Sequence, residues 1–225
     1  MKKNQIDLFI FAGGRGTRIN KITNKTQKCM IKVNNEPFIN YQLKTLLNTG
    51  FIDKVFILAS YKSNEIKAYY KNYKNINVCI DKKRIGTYLS LLNHIKKSKK
   101  KFILVFNGDT FVNYNFRNFF NKTKDVRILT KKIKNNKRYG SMEIKKNKLI
   151  SFKEKINIKF SYINLGIALI RRKIIKNYSK KRFQKIEEEI FLKTKKFDIQ
   201  VAKTKSYFID IGTYKSLELA KKYFR

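Results

Sequence analysis

Several residue types are scarce in this chain, and each shortage removes a class of explanation. Its 225 residues include one histidine, His94. A mechanism built on a histidine base or a histidine-rich metal centre is therefore nearly excluded. Set among Leu91, Leu92 and Ile95, His94 reads as a helix packing or surface residue. The two cysteines, Cys29 and Cys79, form neither a metal-ligand spacing nor a disulfide framework. Pro37 is the only proline; no linker rich in Pro, Gly or Ser divides the chain, and no internal repeat is visible. No apolar run approaches membrane-spanning length and no charged-then-apolar leader opens the sequence, so a reducing, cytoplasmic setting is expected. Acidic residues are also few, 15 against 54 lysines and arginines, for a formal charge of +39. Such a charge suits a partner of nucleic acid or of anionic membranes. The lysines are spread along the whole chain among many Asn and Ile, however, as an AT-rich genome would impose. Compositional drift is favoured over polyanion binding, with salt sensitivity expected from self-repulsion.

A hydrophobic content of 42% with 14% aromatics is that of a globular protein with one substantial core. One domain over 1–225 is expected, with a nucleotide-binding part at 1–125 and a substrate-side, β-rich part at 126–225. In the first half, apolar strands (Ile6 to Ala12, Val55 to Ala59, Ile76 to Ile80, Phe102 to Phe106) alternate with helical stretches (Pro37 to Leu47, Glu65 to Tyr73, Thr87 to Lys97). That order predicts an α/β fold, a mostly parallel, Rossmann-like sheet with helices on both faces. The second half reads as strands at Arg127 to Ile133, Ser141 to Ile144, Leu149 to Phe152, Tyr162 to Ile170 and Phe197 to Ala202. Helices are expected over Phe183 to Lys195, with Glu187, Glu188 and Glu189 on a solvated face, and over Tyr214 to Phe224.

The most informative stretch is Ala12-Gly13-Gly14-Arg15-Gly16-Thr17-Arg18, followed ten positions later by Lys28. A glycine-rich turn at a strand end brings backbone N–H groups close to a phosphate, and Arg18 and Lys28 add cations. Ile19 rather than Gly or Ala follows three residues after Gly16, and no Gly-Lys-Ser/Thr appears. The segment is thus neither a dinucleotide fingerprint nor a P-loop. Ligands of such sheets sit beyond the carboxyl ends of the strands, where Asp109 falls as well. Asp109 and Asp210 each follow a strand, and two hard oxygen ligands completed by water and phosphate suit Mg²⁺.

In these residues the chain resembles the sugar-1-phosphate nucleotidyltransferases over nearly its whole length. The family's Gly-Gly-x-Gly-Thr-Arg loop is matched at Gly13 to Arg18, its loop lysine and Pro-Phe helix start at Lys28 and Pro37-Phe38, and its base-side turn at Ile85-Gly86-Thr87. Its metal-binding Gly-Asp is matched at Gly108-Asp109, its sugar-side Tyr-Gly at Tyr139-Gly140, its Glu-Lys pair at Glu154-Lys155, its Asn-x-Gly strand at Asn164-Leu165-Gly166, and its second metal aspartate at Asp210. Within the family, the run from Arg138 to Gly166 looks closest to the heptose-1-phosphate guanylyltransferases of bacterial surface-polysaccharide pathways. The resemblance implies the nucleotide-diphospho-sugar transferase fold and transfer of a nucleotidyl group from a nucleoside triphosphate, GTP favoured, to a sugar 1-phosphate, with release of pyrophosphate.

It further implies Arg18 and Lys28 as catalytic cations and Ala12 to Thr17, Gly86, Thr87 and Asp109 at the nucleotide. Tyr139, Gly140, Glu154, Lys155, Asn164 and Gly166 would lie at the sugar phosphate, and Mg²⁺ on Asp109 and Asp210. No nucleic acid and no membrane are expected as specific partners; a homo-oligomer stays open. Asp81 stands five residues before Gly86, a position that in the family can face the edge of the base; the resemblance implies an acceptor for guanine's two adjacent donors, and the alternative is a solvated acid at a strand end. Two departures stand out. Gln27 replaces the proline before the loop lysine, which predicts a less rigid loop. Tyr88, Leu89 and Ser90 replace small residues. The rival readings are a non-catalytic or weakly active homologue, a member using CTP, UTP or dTTP, and a nucleic-acid-binding module. The last would stack bases on the tract Tyr69-Tyr70-Lys71-Asn72-Tyr73-Lys74.

Overall fold

A computed structural model describes residues 5–120, 123–136, 138–153, 158–177 and 181–225. In chain order the elements are β1 (Ile6–Ala12), α1 (Asn20–Thr23), β2 (Lys32–Val33), β3 (Glu36–Pro37), α2 (Phe38–Leu47), β4 (Ile52–Ala59), α3 (Ser63–Tyr70), β5 (Ile76–Ile80) and α4 (Thr87–His94). They continue with β6 (Phe102–Asn107), β7 (Thr110–Val112), β8 (Val126–Asn136), β9 (Ser141–Lys145), β10 (Lys148–Lys153), β11 (Ile158–Arg171), β12 (Ile199–Thr204), β13 (Phe208–Asp210) and α5 (Tyr214–Tyr223). A nine-stranded sheet runs in the order β5-β4-β1-β6-β11-β8-β12-β10-β9. Its first four strands are parallel, and β11 joins β6 antiparallel.

β1 is apolar throughout because both faces of the sheet are covered. Leu8 and Ile10 pack with Ile39, Leu43 and Leu46 of α2 and Ile66 of α3, while Phe9 points the other way, into a cluster with Tyr88 and Leu91 of α4. A third cluster holds the site's far end in place. Phe111, Ile209 and Ile211 pack there with Leu217 and Ala220 of α5 and with Phe38. The α/β architecture is thus the expected one. The second half is built onto the same core: β11, β8 and β12 extend the same sheet, and β13 pairs with β7 from the first half.

One expected helix is largely absent. Of Phe183 to Lys195, only Glu187–Phe191 forms a helical turn, and a π-helical one. The backbone just before it is committed elsewhere: Gln184 N–H donates to the Ile85 carbonyl at 2.9 Å and the Gln184 carbonyl accepts from Tyr88 N–H at 3.0 Å. Tertiary hydrogen bonding overrides the apolar periodicity. Nor do the three glutamates form a solvated face, since Glu189 is buried and paired with Lys193 at 2.7 Å.

Candidate active site

β1 ends in the glycine loop, and the loop lines a cleft of about 500 Å³ together with Lys28, Asp109 and residues of the β5–α4 connection. Gly16 has φ +66°, and a Cβ there would strike the side chain of Thr23 at 2.6 Å. Thr23 in turn closes the loop, its hydroxyl donating to the Gly16 carbonyl at 3.1 Å. A Cβ on Gly14 would meet nothing within 4 Å, so this stretch is open to a phosphate. Ala12, Gly13, Gly14, Gly16 and Arg18 line the cleft; Arg15 and Thr17 are exposed and stand outside that lining.

Gln27 corrects the expectation of a looser loop. It is 1% exposed, and its side-chain amide donates to the Ala12 carbonyl at 2.5 Å and accepts from Cys29 N–H at 2.6 Å. Its backbone N–H donates to Glu65 at 2.6 Å, a bond that proline cannot make. Gln27 therefore ties the strand end, the loop and the Lys28 turn together by hydrogen bonds instead of by a ring. Gln27→Ala is expected to lower stability by about 1–3 kcal/mol, the scale for orphaning buried polar groups, and to weaken triphosphate binding. Gln27→Pro should not restore stability although φ is already −68°, since the bond to Glu65 is lost. Thermal unfolding of both variants checks this.

The two aspartates meet across a two-stranded ribbon. Thr110 of β7 is in register with Asp210 of β13, and the Asp109 carbonyl accepts from Ile211 N–H at 3.0 Å. Each carboxylate is covered by a cation of the chain. Lys28 Nζ bonds Asp109 Oδ2. Burial pushes the Asp109 carboxyl up, but the charge and hydrogen bond of Lys28 outweigh it and hold the group below the usual carboxylate range. Arg138 Nη2 lies 2.5 Å from Asp210 Oδ1, Gly212 N–H donates to the same oxygen at 2.8 Å, and the Tyr139 hydroxyl donates to Oδ2. Burial, with the Asp210 charge beside it, pushes the Tyr139 phenol up, so it stays a donor. Arg18 reaches the same corner: its Nη2 would lie 3.5 Å from a Cβ on Gly212. α5 starts immediately afterwards with a reciprocal Thr213–Ser216 capping box, which anchors the turn carrying Asp210.

The base-side wall differs from its reading in the sequence. Gly86, at φ +88°, faces the backbone of Gln184, where a Cβ would collide; its glycine requirement comes from chain packing. Thr87 lines the cleft while its Oγ1 accepts from Ile186 N–H at 3.0 Å. Phe183, Lys185 and Glu187 from the second half complete this wall, with Arg84 stacked 5.4 Å from the Phe183 ring. No motif marked these three residues. Tyr88 is fully buried, its hydroxyl donating to the Lys176 carbonyl at 2.7 Å, so its bulk fills the core beneath the wall.

Asp81 lines the cleft, but α4 has engaged it. Oδ2 accepts from Ser90, and Oδ1 lies 3.3 Å from Asn93 Nδ2 and 3.2 Å from His94 Nε2. One of roughly four acceptor positions is left, so this carboxylate cannot engage both guanine donors as a pair in this arrangement. Its partner is the unexpected titrating group: hydrogen bonding to Asp81 first, then to Cys79, raises His94 from 6.5 to about 9. Because the folded value is raised, the stabilisation is fully present below pH 6.5 and is lost as pH rises through about 9. Wild type is expected to lose on the order of 1–3 kcal/mol across that interval, and His94→Gln much less. Chemical denaturation at a series of pH values measures it.

On the sugar side, Tyr139 contacts Asp210 as described, whereas Gly140 packs directly against the Phe152 ring and has no room for a side chain. Asn164 and Gly166 form a bulge in β11. Asn164 Oδ1 accepts from Gly166 N–H at 2.9 Å, and Gly166 abuts the side chain of Asn107, which lines the cleft. Glu154 and Lys155 lie outside the described residues. Of the basic aromatic tract, Tyr70 is buried with its hydroxyl on Asn40, which takes it out of any base-stacking surface, while Tyr69, accepting from Asn40 at 2.9 Å, and Tyr73 are exposed.

The chain is similar to known proteins over nearly its whole length. The chain is 30% identical over 207 residues to D-glycero-alpha-D-manno-heptose 1-phosphate guanylyltransferase of Campylobacter jejuni, covering 90% of this chain and 93% of that one. It is 28% identical over 217 residues to the enzyme of the same name from Aneurinibacillus thermoaerophilus, covering 92% and 93%. Among solved structures, HddC from Yersinia pseudotuberculosis complexed with GMP-PN superposes with a TM-score of 0.84 at 26% identity, over 98% of this chain and all of that one. The nucleotidyl transferase family model matches residues 8–224. The chain therefore belongs to the nucleotidyl transferase family.

Proposed function

We propose that this enzyme transfers a guanylyl group from GTP to a heptose 1-phosphate, forming a nucleotide sugar for surface-polysaccharide synthesis and releasing pyrophosphate. The reading of the reaction class is supported by the placement of Asp109, just before β7, beside the end of β13 that carries Asp210, with Lys28 on Asp109 and Arg138 and Arg18 near Asp210. The choice of GTP and heptose rests on similarity to the guanylyltransferases and not on Asp81. Tyr139, Asn164 and Gly166, with Glu154 and Lys155, are assigned to the sugar-phosphate side.

Enzymes of this family generally use a divalent metal. The donor types suit Mg²⁺: Asp109, just before β7, and Asp210, at the end of β13, would offer two hard carboxylate ligands, with phosphate oxygens and water to complete the shell. Such an ion would neutralise the phosphates and orient the attack. An oxygen of the sugar phosphate forms a bond to the α-phosphorus as the bond to the β-phosphate bridging oxygen breaks, and that electron pair leaves on pyrophosphate. The attacking oxygen is already ionised, so no side chain must take a proton, and one histidine is enough for the whole protein. Lys28 and Arg18 hold phosphate oxygens and the charge that develops on the leaving group; the Gly14 stretch gives the triphosphate close access. The test is pyrophosphate release from each of GTP, CTP, UTP and dTTP with Mg²⁺ and a panel of sugar 1-phosphates. GTP with a heptose 1-phosphate is expected to give the highest kcat/KM. A pyrimidine preference refutes the base assignment, and no turnover with any pair refutes the activity.

A further inference from the structure

Arg138 opens the run that resembles the guanylyltransferases but was given no role above, and its Nη2 pairs with Asp210 Oδ1 at 2.5 Å. The Asp210 side chain is 11% exposed and that of Arg138 is 33%, so the pair joins a largely buried carboxylate to a partly exposed cation. Its bonding is incomplete, since Nε is buried and has no hydrogen-bond partner among the described residues. A buried N–H without an acceptor is costly, and a planar fork of donors is suited to phosphate oxygens. The surroundings are already cationic. Arg138 Nη2 and Arg18 Nη2 would lie 3.0 and 3.5 Å from the same Gly212 Cβ position. Asp210 Oδ1 already accepts from Arg138 and Gly212 N–H and Oδ2 from the Tyr139 hydroxyl, so a divalent ion on Asp210 would meet like-charge repulsion from Arg138 and compete with it for this carboxylate.

We infer that Arg138 is an exchanging counter-cation. It covers Asp210 before substrates enter, and it transfers to the phosphate of the incoming sugar 1-phosphate when Asp210 is given up to the metal. Transfer satisfies Nε and adds a fork of donors on the attacking phosphate. It also couples the two binding events, because each vacates what the other needs. This inference rests on the two-carboxylate reading of the site.

The experiment titrates the full chain with Mn²⁺ alone, following the electron paramagnetic resonance signal of free Mn²⁺, and repeats the titration with inorganic phosphate. Wild type, Arg138→Met, Asp210→Asn and the double variant form a cycle. Arg138→Met is expected to tighten Mn²⁺ binding by about 5- to 20-fold, a usual size for coupling between sites. The gain should vanish in the Asp210→Asn background. Phosphate should tighten Mn²⁺ in wild type and do so less in Arg138→Met. Arg138→Lys keeps a positive charge without the fork, so its Mn²⁺ affinity should stay near wild type while the phosphate effect falls; this variant decides the matter should Arg138→Met fail to fold. Unchanged or weaker Mn²⁺ binding in folded Arg138→Met, or an equal gain without Asp210, overturns the inference while leaving the metal site standing. If Asp210→Asn alone leaves Mn²⁺ affinity unchanged, the metal-site reading fails and the inference falls with it.

Discussion

Asp109→Ala and Asp210→Ala are each expected to lower kcat by at least ~10²-fold at saturating Mg²⁺, since each leaves polyphosphate charge poorly neutralised. The two should differ in stability. Alanine at 109 frees Lys28 from its ion pair, whereas alanine at 210 removes the acceptor of Arg138, the Tyr139 hydroxyl and Gly212 N–H at once. The second loss is expected to cost about 1–3 kcal/mol or more, the scale for orphaned buried donors. Both residues stand at strand ends, and the clusters of β1, β4 and β6 do not depend on them, so the fold should persist. Asp210→Asn, which keeps an acceptor, separates the two effects: activity should stay low while much of the stability returns. Pyrophosphate release and thermal melts on the same preparations measure both, and full activity in either alanine variant would remove that aspartate from the metal site.

Lys28→Ala should produce the second-largest effect, about 10²- to 10³-fold in kcat together with a higher KM for the triphosphate. The Lys28 side chain is 12% exposed and is the cation paired with Asp109, so its loss leaves that carboxylate uncompensated and, in the proposed mechanism, also removes a phosphate ligand. Arg18 is exposed, and its replacement by lysine substitutes a point charge for a fork. Arg18→Lys is therefore expected to reduce kcat by about tenfold with little change in KM, the signature of an interaction made mainly in the transition state. Separate determination of kcat and KM for GTP checks both. Unchanged kinetics in Lys28→Ala would show that this lysine serves only the ion pair.

The amino-acid sequence by itself determined the elements of the first half, and the resemblance of its ordered motifs to a family pointed to the reaction class. Its apolar runs and helical periods are local properties, and they reappear as β1, β4, β5 and β6 with α2, α3 and α4 between them. The glycine loop, Lys28 and Asp109 were legible for the same reason, because each is tied to the end of a strand that its own neighbours specify. Only the tertiary structure decided the rest. Asp210 reaches Asp109 through pairing between strands about a hundred residues apart in sequence. Gln27 substitutes for a proline through contacts with Ala12 and Glu65. The Gln184 backbone claims the face of Gly86, and α4 claims the oxygens of Asp81. In each case the deciding partner is distant in sequence or lies on the next element. A side chain's role then depends on which donors and acceptors the folded chain has already taken, and periodicity and motif spacing carry no record of that.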